Sequence, residues 1–89
     1  GRTPKINKNG GRDHYPAVFS QILAGGGVRG GHVYGSSDRD GARPLANDCS
    51  PKDFHATVLT AMGINPRTEV PDREGRPFQI CGGRVLPLF

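Results

Sequence analysis

The sequence is organised around Gly10-Gly11-Arg12-Asp13-His14-Tyr15-Pro16, which leads into the apolar run Ala17-Val18-Phe19-Ser20-Gln21-Ile22-Leu23-Ala24 and the turn Gly25-Gly26-Gly27. An acidic residue beside a histidine thus lies in a glycine-flanked loop. The apolar run at 17–24 predicts a fully buried strand. Because loops held by a rigid strand often carry binding or catalytic groups, the loop at 10–16 is the first candidate site.

Asp13 and His14 are both side chains that bind divalent cations, the carboxylate through oxygen and the imidazole through a ring nitrogen. Two potential ligands do not by themselves make a metal site. The dipeptide therefore leaves a second interpretation open, in which Asp13 caps a turn and His14 is an ordinary surface histidine.

The composition predicts long loops rather than a thick core. The 89 residues include 14 glycines and 8 prolines, and only 34% are hydrophobic. A chain of this length forms one small domain at most, or a piece of a larger one. It also opens on Gly1-Arg2-Thr3-Pro4 without a methionine. We therefore expect residues 1–89 to be a single partial domain.

The net charge of +4 does not by itself indicate nucleic acid. The lysines and arginines are scattered and are not interleaved with stacking aromatic residues, so a nucleic-acid partner is disfavoured. Anionic small substrates fit the charge at least as well, and so does a plain solvated basic surface.

Cys49 and Cys81 are too few for a disulfide framework. One bridge between them and two separate thiols both stay open. No apolar run approaches the roughly 20 residues that cross a bilayer, so we expect no membrane segment.

One helix is predicted at about 50–62. Ser50 suits the N-cap, Pro51 the first helical position and Asp53 a capping box, while Gly63 suits the end of the helix. An apolar face is predicted from Phe54, Val58, Leu59 and Met62. His55, next to this face, is interpreted as a partly buried structural histidine, and the alternative is that it points toward a neighbouring loop.

The other short elements are predicted from turn residues. A hairpin is expected from strands at 78–80 and 84–86 around the glycine turn at 81–83. Residues 32–34 are predicted to be extended, and Asp38 and Asp40 to form turns. Residues 65–77 are predicted to cross the surface irregularly, with a turn at Glu74-Gly75.

Four segments together resemble a bacterial family known only as domain of unknown function 1501, which is grouped with the sulfatases and alkaline phosphatases. They are Gly1-Arg2-Thr3-Pro4-Lys5-Ile6-Asn7, then Gly11-Arg12-Asp13-His14-Tyr15-Pro16, then Leu23-Ala24-Gly25-Gly26-Gly27-Val28-Arg29-Gly30-Gly31-His32-Val33-Tyr34-Gly35, and Asp53-Phe54-His55-Ala56-Thr57-Val58-Leu59. The resemblance covers nearly the whole chain in order and weakens after Gly63.

The resemblance implies an α/β fold: the C-terminal fragment of an alkaline-phosphatase-like α/β/α sandwich, with a few short strands, one helix and long Gly/Pro-rich loops. In alkaline phosphatases a metal-binding histidine precedes a short apolar strand and a glycine-rich turn. His14 stands in that place, and the role of metal ligand is carried onto His14 and onto Asp13, which could instead orient the imidazole. The segment at 53–63 corresponds to a scaffold helix of the superfamily.

The resemblance also implies a divalent metal (zinc, calcium, magnesium or manganese), an anionic ester substrate and a domain whose remainder lies outside this chain. The nucleophile of such enzymes comes from earlier strands, and no serine here has a nucleophile motif around it. Export signals in many relatives point to a periplasmic or secreted location. The leading hypothesis is part of a metal-dependent hydrolase of sulfate or phosphate esters. The alternatives are a non-catalytic binding or structural module of the same fold and a basic nucleic-acid binder.

Overall fold

The structure, a computed structural model, describes residues 1–89 and contains five short elements. In chain order they are β1 (Ser36–Ser37), β2 (Pro44–Ala46), α1 (Pro51–Ala61), β3 (Glu69–Pro71) and β4 (Pro77–Gln79). β1 pairs with β2 and β3 with β4, both antiparallel. The expected mixture of one helix, a few short strands and long loops is confirmed, and α1 is neither long nor apolar enough to cross a membrane.

The chain divides into two compact units. Unit 1 comprises Gly1–Leu23 and Val33–Asp48, and unit 2 comprises Ala24–His32 and Cys49–Phe89. β1 and β2 belong to unit 1, whereas α1, β3 and β4 belong to unit 2. All the buried residues of the chain lie in unit 2.

The predicted helix is confirmed, together with both of its ends. The Ser50 hydroxyl accepts from the Asp53 backbone N–H, and the Asp53 carboxylate accepts from the Ser50 N–H, which completes a capping box. At the other end the N–H of Ile64 donates to the Leu59 carbonyl and that of Gly63 to the Thr60 carbonyl, the two bonds of a Schellman motif. Gly63 has φ 78°, a conformation that glycine adopts without steric cost.

The predicted apolar face of the helix is only partly correct. Ala56 and Thr57 are the buried residues of α1, whereas Met62 is 68% exposed. His55 is exposed, so the interpretation as a partly buried structural histidine is wrong. The chain at 81–86 lies close against α1 at Lys52, Asp53 and Thr57.

This C-terminal strap (residues 81–86) replaces the predicted second strand of a hairpin. The Arg84 N–H donates to Asp53 Oδ1 at 2.7 Å, and the Leu86 N–H donates to Thr57 Oγ1 at 2.9 Å. The strap is therefore hydrogen-bonded to side chains of α1 and not to β4. The prediction of a strand at 84–86 is wrong. The backbone N–H groups of Arg84 and Leu86, which a partner strand could have accepted from, donate instead to side chains of α1.

The strand β4 pairs instead with β3, in a segment predicted to be irregular. Glu69 lies opposite Gln79 and Pro71 opposite Pro77. Both prolines lie at the ends of a two-stranded ribbon, where a missing N–H does not interrupt a sheet. The predicted turn at Glu74-Gly75 is confirmed and joins the two strands.

The prediction of a buried strand at 17–24 is also wrong. The segment forms no strand, Ile22 is 94% exposed and Phe19 is half-exposed. Residues 32–34 form no strand either, and β1 lies just after them in the predicted polar loop. An apolar run becomes a strand only where another strand pairs with it, and none does so here.

Candidate functional site

His14 lies on a short antiparallel ribbon made by the first residues of unit 1. Arg2 and His14 are directly opposite. The Thr3 N–H donates to the Asp13 carbonyl at 2.9 Å and the Tyr15 N–H donates to the Gly1 carbonyl at 3.0 Å, so the bonds flank the Arg2–His14 pair. In such a pair the Cα atoms are about 4.5 Å apart and the two side chains lie side by side on one face.

Asp13 is held by a different set of contacts. Its Oδ1 accepts a hydrogen bond from Asn7 Nδ2 at 3.2 Å, and its backbone N–H donates to Thr3 Oγ1 at 3.1 Å. The Asn7 side chain is fixed in turn, because its Oδ1 accepts from the backbone N–H groups of Asn9 and Gly11. The loop at 7–11 therefore determines where the Asp13 carboxylate lies.

The two predicted ligands point to opposite faces of the ribbon. The Asp13 carbonyl and the Tyr15 N–H both reach the opposing strand, as in an extended chain, and neighbouring side chains of an extended chain alternate between faces. The Asp13 carboxylate bonds to Asn7 and not to the imidazole, so it does not orient His14. The structure thus places both residues on one ribbon but does not bring their side chains together.

The His14 side chain is available for an external ligand. It is exposed and makes no hydrogen bond within the chain. No three side chains among His, Cys, Asp and Glu form a metal-binding group within residues 1–89. This chain can offer a cation one imidazole nitrogen from His14 and, on the other face, Asp13 Oδ2.

The ribbon is connected to the β1–β2 region of unit 1 by Tyr15, whose hydroxyl donates to the Ala42 carbonyl at 2.8 Å. Ala42 belongs to a turn that Asp38 closes, since Asp38 Oδ1 accepts from the Ala42 N–H at 2.7 Å. The prediction that Asp38 forms a turn is confirmed. The residue next to His14 is therefore attached to a second hydrogen-bonded loop.

In unit 2 the Asp53 carboxylate is held by two backbone N–H groups. The backbone N–H of Arg84, followed by that of Ser50, lowers the pKa of the Asp53 carboxyl below its ordinary value. The Arg84 guanidinium adds a longer ion pair at 3.6 Å. Each carboxylate oxygen is used to hold a backbone N–H, so Asp53 joins α1 to the strap.

An open groove of about 290 Å³ lies along α1 in unit 2. It is lined by His55, Val58, Leu59, Ile80 and Cys81. The Cys81 thiol donates to the Lys52 carbonyl at 3.2 Å, and neither Cys81 nor Cys49 forms a disulfide. The groove is mainly apolar, with the His55 imidazole and the Cys81 thiol as its polar side chains.

Sequence reasoning missed two residues around His14. Arg2 is the cross-strand neighbour of His14, and Asn7 holds Asp13. The turn residues Asn9-Gly10 signal that the chain reverses, which could have suggested a ribbon. The register, however, depends on hydrogen bonds that no sequence pattern here specifies.

A family model described as "Protein of unknown function (DUF1501)" matches residues 1–88. The chain therefore belongs to this family, which confirms the resemblance at the family level. No curated protein and no solved structure matches the chain significantly.

Proposed function

We propose that this chain is part of a metal-dependent hydrolase of sulfate or phosphate esters, to which it contributes a metal-ligand loop but not the nucleophile. The observation that supports the proposal most directly is the exposure of the His14 side chain. Its imidazole is exposed and without an intramolecular partner, although the backbone on both sides of it is hydrogen-bonded to another strand. Because the His14 backbone is fixed and its imidazole nitrogens have no partner, the side chain is suited to bind a cation whose other ligands come from outside this chain.

The available donors fit a hard or borderline divalent cation. A neutral imidazole nitrogen suits zinc, and a carboxylate oxygen suits calcium, magnesium and manganese. When bound, such a cation polarises the ester oxygen and stabilises developing negative charge. Asp13 is the second candidate ligand, and because it faces away from His14 it would meet a different cation.

We further propose that the chain completes an alkaline-phosphatase-like α/β/α sandwich together with the rest of its own domain. Unit 1 supports this proposal, because it contains no buried residue and five of its large apolar side chains are exposed. These are Ile6, Phe19, Ile22, Val33 and Leu45. Exposed apolar surface of this extent is typical of a face that packs against another part of a protein.

The test is hydrolysis of an aryl sulfate and an aryl phosphate by the full-length protein, with and without a chelator. We expect activity that the chelator removes, that His14→Ala abolishes, and that His32→Ala retains. His32 is a matched control because it is also an exposed loop histidine. Residues 1–89 alone are expected to be inactive, since no nucleophile is assigned within them.

Full activity in His14→Ala, or in the isolated 89 residues, would contradict the proposal. Absence of both metal and hydrolysis in the full-length protein would instead support a non-catalytic binding or structural module. A steep fall of nucleic-acid affinity with salt would support the basic-binder alternative.

A further inference from the structure

We propose that Arg2 and Arg12, together with the face of the ribbon that carries His14, form a binding site for a tetrahedral oxyanion such as the sulfate or phosphate group of an ester. This inference rests on the proposed function, since it names the residues that would hold the anionic group beside the metal ligand. It identifies Arg2 and Arg12 as substrate-binding residues.

The register of the ribbon places Arg2 beside His14. Arg2 is directly opposite His14 in a pair flanked by hydrogen bonds, so their side chains share one face. The Arg2 Nη1 donates to the Arg12 carbonyl at 3.2 Å, so the Arg2 side chain extends diagonally towards residue 12 of the opposing strand. Residues two apart on an extended strand share a face, and from this alternation we infer that Arg12 lies on the same face as His14.

The charges around this face favour an anion. Residues 1–16 contain four cationic side chains and only one carboxylate. That carboxylate, Asp13, belongs to the opposite face and is hydrogen-bonded to Asn7. The guanidinium groups therefore have no acidic partner on their own face.

The arginines are also chemically suited to the task. The Arg12 side chain is exposed and forms neither a hydrogen bond nor an ion pair within the chain, and Arg2 uses one guanidinium nitrogen for a backbone carbonyl. A guanidinium has five N–H donors in a planar fork that matches two oxygens of a sulfate or phosphate group. Two such forks on one face can hold a tetrahedral anion while His14 stays open to a cation.

The experiment is a calorimetric titration of the full-length protein with inorganic phosphate and with inorganic sulfate, at fixed ionic strength. We expect Arg12→Gln and Arg2→Gln each to weaken binding about tenfold, the size of one charge-assisted contact. Arg12→Lys should recover only part of the affinity, because an ammonium lacks the fork. Lys8→Gln removes the same charge from the same loop and should change binding less than about twofold.

Arg12→Gln keeps the test decisive if Arg2→Gln disturbs the ribbon, since the Arg12 side chain has no structural contact to lose. Retained amide protection at Thr3 and Tyr15 would show that the ribbon persists in each variant. Undetectable anion binding by the wild-type protein, or equal weakening by Lys8→Gln and Arg12→Gln, would overturn the proposal.

Metal content, measured on the same samples, separates this inference from the proposed function. Arginine-dependent anion binding in a protein that contains no metal would leave the inference standing and contradict the hydrolase proposal. If His14 binds metal but substitution of Arg2 and Arg12 leaves anion binding unchanged, the hydrolase proposal would stand and this inference would be contradicted.

Discussion

Unit 1 and unit 2 are each stabilised by a different kind of internal contact. Unit 2 is built on a helix that buries Ala56 and Thr57, and Thr57 is hydrogen-bonded to the C-terminal strap. Unit 1 has no buried residue and depends on polar contacts of single side chains, above all Asn7 and Tyr15. The candidate metal ligand lies in unit 1. Unit 1, which buries no residue, thus contains the proposed metal ligand, and unit 2 contains all the buried residues of the chain.

This difference predicts where substitutions reduce stability. Changes at the α1–strap contact should affect the free energy of unfolding of unit 2, because they disturb buried or closely packed groups. Changes in the ribbon of unit 1 should alter local opening and ligand binding with little effect on that free energy.

The largest effect is expected from Gly83→Ala in the strap. A Cβ at this position would clash with the Lys52 carbonyl group and would lie 2.6 Å from the Asp53 backbone nitrogen. Since backbone atoms must move, we expect a loss of about 3 kcal/mol in chemical denaturation. Gly82→Ala is the matched control, because nothing lies within 4 Å of its Cβ position. Equal stability of the two variants would contradict the close approach of the strap to α1.

The next largest effect is expected from Thr57→Val. The Thr57 hydroxyl donates to the Asp53 carbonyl and accepts from the buried Leu86 N–H, and the residue is fully buried. Valine leaves that N–H without an acceptor, which should cost about 2 kcal/mol of unfolding free energy. Thr60→Val removes a comparable bond within the helix and should cost much less. A similar loss of unfolding free energy in both variants would contradict the claim that the bond from Leu86 to Thr57 adds stability beyond that of a bond within the helix.

Asp53→Asn should lower stability by about 1 kcal/mol at neutral pH and flatten its acid dependence. The amide has one acceptor oxygen, whereas the carboxylate accepts from both Arg84 and Ser50. Because folding lowers the pKa of Asp53, its stabilisation is complete above the ordinary carboxyl pKa of about 4 and is lost as the pH falls through the lowered value.

Denaturation at several pH values between 2 and 7 (roughly the carboxyl range) measures this effect. Part of the slope should also persist in Asp53→Asn, because the backbone N–H of Arg76 lowers the pKa of Asp72. An unchanged slope in Asp53→Asn would contradict the role given to this carboxylate.

The smallest effect on stability is expected from Asn7→Ala in unit 1. The substitution removes the contact with Asp13 and the two bonds to Asn9 and Gly11, all at the surface. We expect less than about 0.5 kcal/mol of lost stability but clearly faster amide exchange at Gly11. Asn9→Ala, whose side chain makes no such bonds, should leave that exchange unchanged. A large loss of global stability in Asn7→Ala would remove the contrast between the units.

The same contrast explains what could be predicted from the sequence. The ends of α1 depend on local chemistry, so Ser50, Pro51, Asp53 and Gly63 predict them correctly. The pairing of β3 with β4 and the route of the strap depend on distant partners, which an apolar pattern does not identify. The run at 17–24 shows the same limit, since its apolar residues indicate burial without a partner strand in this chain.

The candidate site was predictable in part for the same reason. Glycines and an adjacent acid and histidine identify the loop at 10–16. The alternation that separates Asp13 from His14, and the register that brings Arg2 to His14, follow from hydrogen bonds between residues about ten positions apart.

The most direct test of the central claim is the divalent-metal content of the purified full-length protein and of its His14→Ala and His32→Ala variants, measured by mass spectrometry. We predict that the wild-type protein and His32→Ala retain metal in equal amounts and that His14→Ala loses it. Metal retained equally by His14→Ala, or absent from the wild-type protein, would contradict the assignment of His14 as a ligand.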